Sequence, residues 1–196
     1  MAKLEILIPG YAREEKGGEY ASSTTTLIQD KGLNIVVDPG MNRNKLLASL
    51  KRAGLSLSDI DFVFLTHMHS DHSLLTGIFE SAKVVDDSSI YSWDGRIEDH
   101  DGKIPGTEIK IIKTPGHDIF QGTLLVDTKD YGKVAIASDV FFWTDNEVQK
   151  IDRASLLAKK DPYVKNEKQL RQSRSKILKV ADYVVPGHGK IFKVEK

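Results

Sequence analysis

The stretch that decides the reading is Phe62-Val63-Phe64-Leu65-Thr66-His67-Met68-His69-Ser70-Asp71-His72. The apolar run from Phe62 to Leu65 predicts a short buried strand. It leads directly into three histidines and one aspartate within six residues. So many polar groups are costly to bury without a common partner. Imidazole and carboxylate together suit zinc, iron, manganese or nickel. The spacing His67-x-His69-x-Asp71-His72 therefore predicts a metal site at the end of a strand.

The same arrangement recurs three times. Ile109 to Ile112 leads to Thr114-Pro115-Gly116-His117, and Val134 to Ala137 leads to Ser138-Asp139. Tyr183 to Val185 leads to Pro186-Gly187-His188-Gly189. Loops at the carboxyl ends of strands commonly converge on one site. Five of the six histidines lie in these segments, so a shared site is the economical reading. His100, among Glu98, Asp99 and Asp101, is expected at the surface. Trp93, Tyr131, Phe141, Phe142 and Trp143 are candidates for lining a pocket. Of these, Phe141 and Phe142 are expected in the core and Trp143 at the rim.

Working outward, Leu4 to Ile8 reads as a strand, and the polar, glycine-bearing residues Arg13 to Tyr20 as an exposed loop. Thr24 to Ile28 and Asn34 to Val37 flank Lys31-Gly32 and predict a hairpin. Asn42 or Asn44 caps an expected helix that ends at Gly54. Ser58 is expected to cap a short turn. Apolar runs at Lys83 to Val85 and Leu124 to Val126 add strands, with a turn at Tyr131-Gly132. Helices are expected from about Asp152 and from Asn166 to Ala181. Strand groups alternating with helices indicate an α/β fold of two sheets covered by helices.

The 196 residues suffice for one compact domain, and a single domain over 1–196 is expected. No apolar run is long enough to span a bilayer, and no secretory apolar core opens the chain. No membrane association and a cytoplasmic location are expected. The chain has no cysteine, which excludes disulfides and thiolate metal sites. Zero net charge excludes a global field for nucleic acid. Locally, Lys150 to Lys179 carries ten Lys/Arg against three Asp/Glu. That segment reads either as a solvated helix face or as a surface for a phosphate-bearing substrate, with Arg171 and Arg174 as its test residues.

These segments resemble the metallo-β-lactamase superfamily, marked by H-x-H-x-D-H followed by a His, an Asp and a His. The resemblance extends over nearly the whole chain in order and spacing. Asp38, in Val36-Val37-Asp38-Pro39-Gly40, and Thr66 match positions that usually support the site. The second half is most similar to small members related to metallo-β-lactamase domain-containing protein 1. The stretches concerned are Thr114-Pro115-Gly116-His117, Ala137-Ser138-Asp139-Val140-Phe141, and Arg171-Gln172-Ser173-Arg174 leading to Ala181-Asp182-Tyr183-Val184-Val185-Pro186-Gly187-His188-Gly189.

The resemblance implies a four-layer αβ/βα sandwich. It also implies that His67, His69 and His117 bind one metal, that Asp71, His72 and His188 bind a second, and that Asp139 bridges them. Two divalent ions are expected, zinc before iron, manganese or nickel. Two dications against two carboxylates and one hydroxide leave a positive shell, which favours an anionic transition state. Metal-bound water ionises near neutral pH and supplies the nucleophile, with Asp71 as the catalytic residue that orients it.

Two departures from the family pattern stand out. Ser73-Leu74-Leu75-Thr76-Gly77 replaces a Gly-rich helix start. Asp118 follows His117 where Ser or Thr is common, and reads equally as a partner of a ligand histidine or a solvent-facing turn residue. The expected reaction is hydrolysis of a small ester, thioester, lactone or phosphodiester. The alternatives are a ribonuclease or phosphodiesterase acting on nucleic acid through the Lys150–Lys179 segment, and a non-catalytic metal-binding module.

Overall fold

The structure, a computed structural model, describes residues 1–195. In chain order it contains β1 (Lys3–Ile8), β2 (Tyr11–Glu15), β3 (Gly18–Ser22), β4 (Thr25–Asp30), β5 (Leu33–Val37) and α1 (Arg43–Arg52). Next come β6 (Phe62–Phe64), a single turn α2 (Ser70–Ser73), β7 (Lys83–Val85), β8 (Ser89–Tyr91) and β9 (Ile97–Asp99). The second half contains β10 (Lys110–Lys113), β11 (Gly122–Thr128), β12 (Gly132–Phe142), α3 (Arg153–Ala158), α4 (Glu167–Val180), β13 (Tyr183–His188) and β14 (Phe192–Lys193).

Seven strands form one sheet in the order β1-β4-β5-β6-β7-β8-β9, and five form another in the order β10-β11-β12-β13-β14. Side chains alternate across each strand, and the alternation builds the layers. Ile35, Val37, Phe62 and Phe64 face Leu124, Val134, Ile136 and Val185 between the sheets. The intervening Val36 and Val63 turn the other way and pack with Leu46 and Leu50 of α1. On the far side, Ala135, Ala137 and Val184 meet Leu170, Ile177 and Leu178 of α4. The result is the helix–sheet–sheet–helix sandwich that the sequence led us to expect. Full burial of each large side chain contributes about 1.5–3 kcal/mol, which makes this double face the main source of stability.

Local chemistry fixes the ends of the elements. Lys31 (φ 51°) and Gly32 (φ 83°) both take left-handed backbone between β4 and β5, as a tight hairpin turn requires. The Asn42 side chain caps α1 by accepting from Lys45 N at 3.2 Å, and Lys51 and Arg52 complement the last turn. Asn166 caps α4 through Gln169 N at 3.0 Å.

Some local expectations differ from the structure. Residues 13–20 are not a loop: β2 and β3 pair as a hairpin, with Arg13 opposite Tyr20. Its residues are polar because both faces meet water, which hides the strand period. Ser56, not Ser58, heads the turn Leu57–Asp59, where the Asp59 carboxylate accepts Ser56 N at 2.7 Å. β12 does not stop at Ala137 but runs through Phe142 with irregular register beyond Ile136.

Strand direction positions the site. β5, β6 and β7 are parallel, as are β12 and β13. β10 is antiparallel to β11, and β11 is antiparallel to β12, so β10 points the same way as β12. The carboxyl ends of β5, β6, β10, β12 and β13 deliver Asp38, His67, His117, Asp139 and His188 to one edge. No helix among the described residues is long and apolar enough to cross a membrane.

Candidate metal centre

Two groups of ligand-type atoms converge at this edge. His67, His69, His117 and Asp139 form one, and Asp71, His72 and His188 the other; within each group the atoms lie within 4.8 Å of one another. Asp139 sits between them: its Oδ2 is 3.4 Å from His117 Nε2 and 3.5 Å from His72 Nε2, and its Oδ1 is 3.8 Å from His188 Nε2. Asp71 Oδ2 lies 3.1 Å from His188 Nε2 and 3.5 Å from His72 Nε2.

Outer hydrogen bonds aim the rings. His72 Nδ1–H donates to Asp38 Oδ2 at 2.9 Å, and His117 Nδ1–H donates to Asp161 Oδ2 at 2.8 Å. His188 Nδ1–H donates to the Tyr11 carbonyl at 3.0 Å. Thr66 Oγ1–H donates to Asp38 Oδ2 at 2.7 Å, so its oxygen is free to accept from His67 Nδ1 at 3.2 Å. In all four rings Nδ1 is engaged outward, which leaves Nε2 facing the centre. His69 does the reverse: its Nδ1 lies 3.2 Å from His117 Nε2, while its Nε2 is 3.8 Å from Asp118 Oδ2.

The backbone is bent to allow this. Asp38 (φ 48°) and Ser138 (φ 51°) adopt left-handed conformations that non-glycine residues seldom take. Ser138 occupies the irregular part of β12, where its hydroxyl donates to Asp38 Oδ2 at 3.2 Å. Asp139 approaches β13 so closely that a Cβ on Gly187 would stand 1.7 Å from Asp139 Oδ1.

The donor set fits divalent cations. His67 Nε2, His72 Nε2 and Asp139 Oδ1 are buried without a hydrogen-bond partner. Each such orphan costs about 1–3 kcal/mol, a penalty that a bound cation removes. Tetrahedral bonds of about 2.0–2.2 Å place neighbouring ligand atoms about 3.3–3.6 Å apart, close to the 3.1–3.9 Å separations between these side chains. Electrostatics agree. Burial opposes ionisation of Asp139, yet the surrounding His72 and His188 hold its carboxyl well below the usual carboxylate range. Burial and the neighbouring His72 lower His67, which keeps its ring neutral.

With this geometry in hand, known proteins can be compared. The metallo-beta-lactamase superfamily model matches residues 20–86. Metallo-beta-lactamase domain-containing protein 1 of Xenopus laevis is 31% identical, covering 98% of this chain and 82% of the relative. The chain belongs to the metallo-beta-lactamase superfamily. A relative from Methanocaldococcus jannaschii named "Probable metallo-hydrolase MJ0296" is 33% identical over 83% of this chain and 74% of its own length. A crystal structure from Thermotoga maritima superposes with a TM-score of 0.74 at 22% identity, covering 98% of this chain and 99% of that one. The expected class, a metal-dependent hydrolase of the metallo-beta-lactamase superfamily, agrees with these relatives.

Other sequence expectations change. Arg174 is buried, donating from Nε to the Val140 carbonyl at 2.9 Å and from Nη1 to the Lys159 carbonyl at 2.5 Å. Burial brings its guanidinium down to about 10. Because it is buried, its charge is not offered to a phosphate backbone. Trp143 is 3% exposed and packs on Phe192, so it is core and not rim. Phe142 is buried as expected, but its ring also borders the site, 5.9 Å from His117 and 6.2 Å from His188. Trp93 and Tyr131 lie elsewhere, Trp93 bonded to the Ala82 carbonyl and Tyr131 stacked on Tyr183. His100 is half-buried, with Nδ1 accepting from Gly102 N at 3.0 Å and Nε2–H donating to the Asp86 carbonyl at 3.2 Å. It braces a loop.

Asp118 faces His69 beyond hydrogen-bond range, and its Oδ1 accepts Phe120 N at 3.1 Å. The partner that sequence reasoning missed is Asp161. It lies in a charged run, Lys159-Lys160-Asp161-Pro162, with no periodic or spacing signal. Also missed were Glu19 and Tyr163, which with Met68, Phe142 and Thr144 wall a cavity of about 480 Å³ over the centre.

Proposed function

We propose that the chain, as one domain, is a binuclear hydrolase of small esters, thioesters, lactones or phosphodiesters. His67, His69 and His117 would hold one divalent cation and Asp71, His72 and His188 a second, with Asp139 shared. The observation that carries the proposal is the convergence of seven ligand-type side chains, three of which (His67, His72 and Asp139) turn buried inward atoms without a hydrogen-bond partner to the centre. The all-imidazole and carboxylate donor set suits zinc first, with iron, manganese and nickel also accommodated. Bound there, such cations supply a nucleophile from water near neutral pH and stabilise developing negative charge.

The chain's own residues supply the rest. Asp71 and His69 have the most exposed side chains of the seven, 21% and 35%, so they face the incoming substrate. Asp71 Oδ2 is placed to accept and orient a proton of the attacking water. Phe142 and Met68 furnish apolar walls that exclude bulk water. A cavity of about 480 Å³ suits a small molecule or the end of a larger one.

The test is metal analysis of the purified protein followed by turnover of ester, thioester, lactone and phosphodiester panels with the metal found. About two equivalents of metal and hydrolysis in at least one class are expected. Metal-replete protein inert across all four classes would leave a metal-binding module as the better description.

A further inference from the structure

The cavity over the centre is electrically lopsided. Its inner end would hold two dications, yet none of its lining residues is a lysine or arginine. Arg13, which with Glu19 and Tyr163 lines the adjoining cavity, is already paired, and so is Lys159. Arg13 is 3.3 Å from Glu15 and 3.3 Å from Asp145, and Lys159 is 2.6 Å from Glu147. Glu19, at the outer wall on β3, has no basic partner among the described residues. Its one side-chain hydrogen bond is from Tyr163 Oη–H, at 3.5 Å. The Tyr163 ring, 52% exposed, is itself part of the wall.

A carboxylate without a basic partner, at the hydroxyl edge of a half-exposed tyrosine ring, is a combination that can bind organic ammonium groups. The carboxylate supplies Coulomb attraction, and the ring quadrupole adds a weakly hydrated contact. Glu19 is held by the β2–β3 hairpin and Tyr163 by the segment between α3 and α4. Asp161 Oδ1 fixes the base of that segment by accepting Tyr163 N at 2.9 Å. The two groups therefore reach the cavity from separate elements and meet at its wall.

We propose that Glu19 is a specificity-determining residue that, with the Tyr163 ring, recognises an ammonium substituent on the substrate while the scissile group lies at the metal centre. The inference rests on the hydrolase reading and narrows its substrate class. A substrate with positive charge at one end and an acyl centre at the other matches the polarity of the cavity. Substrates anionic at the outer end meet an unscreened like charge.

The test uses metal-loaded full-length protein and two isosteric esters, acetylcholine and 3,3-dimethylbutyl acetate, which differ in charge alone. The alcohols choline and 3,3-dimethylbutanol are measured in parallel by calorimetric binding. Wild type is expected to favour the charged member of each pair about fivefold, the scale of a part-exposed ion pair. Glu19→Gln brings the ratio near one, and Glu19→Lys inverts it. An equal ratio in wild type and Glu19→Gln, in binding as well as in turnover, overturns the assignment. The binding arm decides it even if neither ester is cleaved, an outcome that counts against ester hydrolysis alone.

Discussion

The carboxylate of Asp161 accepts the Nδ1 proton of His117 at 2.8 Å, across 44 residues of chain. Both side chains are 1% exposed, so neither has water as a substitute. The bond fixes the tautomer of His117 and turns its Nε2 toward Asp139. Asp161 itself sits in the connection between α3 and α4, and that connection is anchored by Arg174 through the Lys159 carbonyl. The packing of an outer helix is thus coupled to the orientation of one candidate ligand.

Loss of that carboxylate should therefore be read first in metal binding. Asp161→Ala is expected to weaken the metal proposed to be held by His67, His69 and His117 about 10- to 100-fold, as removal of a ligand histidine's partner typically does. Competition against a chromophoric chelator measures it. Wild-type affinity in this variant would show that His117 is oriented by packing alone.

Close approach of β13 to Asp139 makes Gly187 a sensitive position. A Cβ there overlaps Asp139 Oδ1, whereas one on Gly77 meets nothing within 4 Å. Gly187→Ala should reduce metal stoichiometry and lower the melting temperature. Gly77→Ala should leave metal stoichiometry unchanged and stability within about 0.5 kcal/mol of wild type, the range of an ordinary surface change. Equal behaviour of the two variants would contradict the close approach of β13 to Asp139.

Metal loading should depend on pH with a defined sign. Burial disfavours a charged His72, but Asp139 and Asp38 outweigh it and raise its metal-free pKa well above 6.5. A cation must then displace a proton from this ring even at neutral pH. Apparent affinity should fall as pH drops, and binding at pH 7 should release protons. Calorimetry in buffers of different ionisation enthalpy detects that release, and a heat independent of buffer would refute it.

Two arginines of α4 should separate cleanly. Arg174→Ala leaves the Val140 and Lys159 carbonyls without their donor, at about 1–3 kcal/mol for each group left unsatisfied. Arg171→Ala, on the exposed face, should change stability by less than about 0.5 kcal/mol. Urea unfolding of both variants decides the matter. Similar midpoints would mean that Arg174 is not part of the core.

How much was legible beforehand depended on how local the signal was. Strands such as Phe62 to Leu65 and helices such as α4 announce themselves because burial imposes a period on adjacent residues. Residues 13–20, the exposed part of the β2–β3 hairpin, read as a loop because solvent on both faces erases that period. Likewise, Arg174 counts as one more positive charge in a basic run until α4 is packed against β12.

For the centre, the sequence alone determined the supply of ligand-type residues, the strand ends that carry them and the absence of thiolate. It could do so because His67 to His72 are close neighbours and each later ligand type follows an apolar run. The tertiary structure alone decided which nitrogen of each ring faces inward, that Asp161 and not Asp118 holds His117, and that Glu19 meets Tyr163 at the cavity wall. The last two relationships join residues 44 and 144 positions apart. No spacing rule reaches that far, because only the closing of two sheets against each other brings such residues within a hydrogen bond.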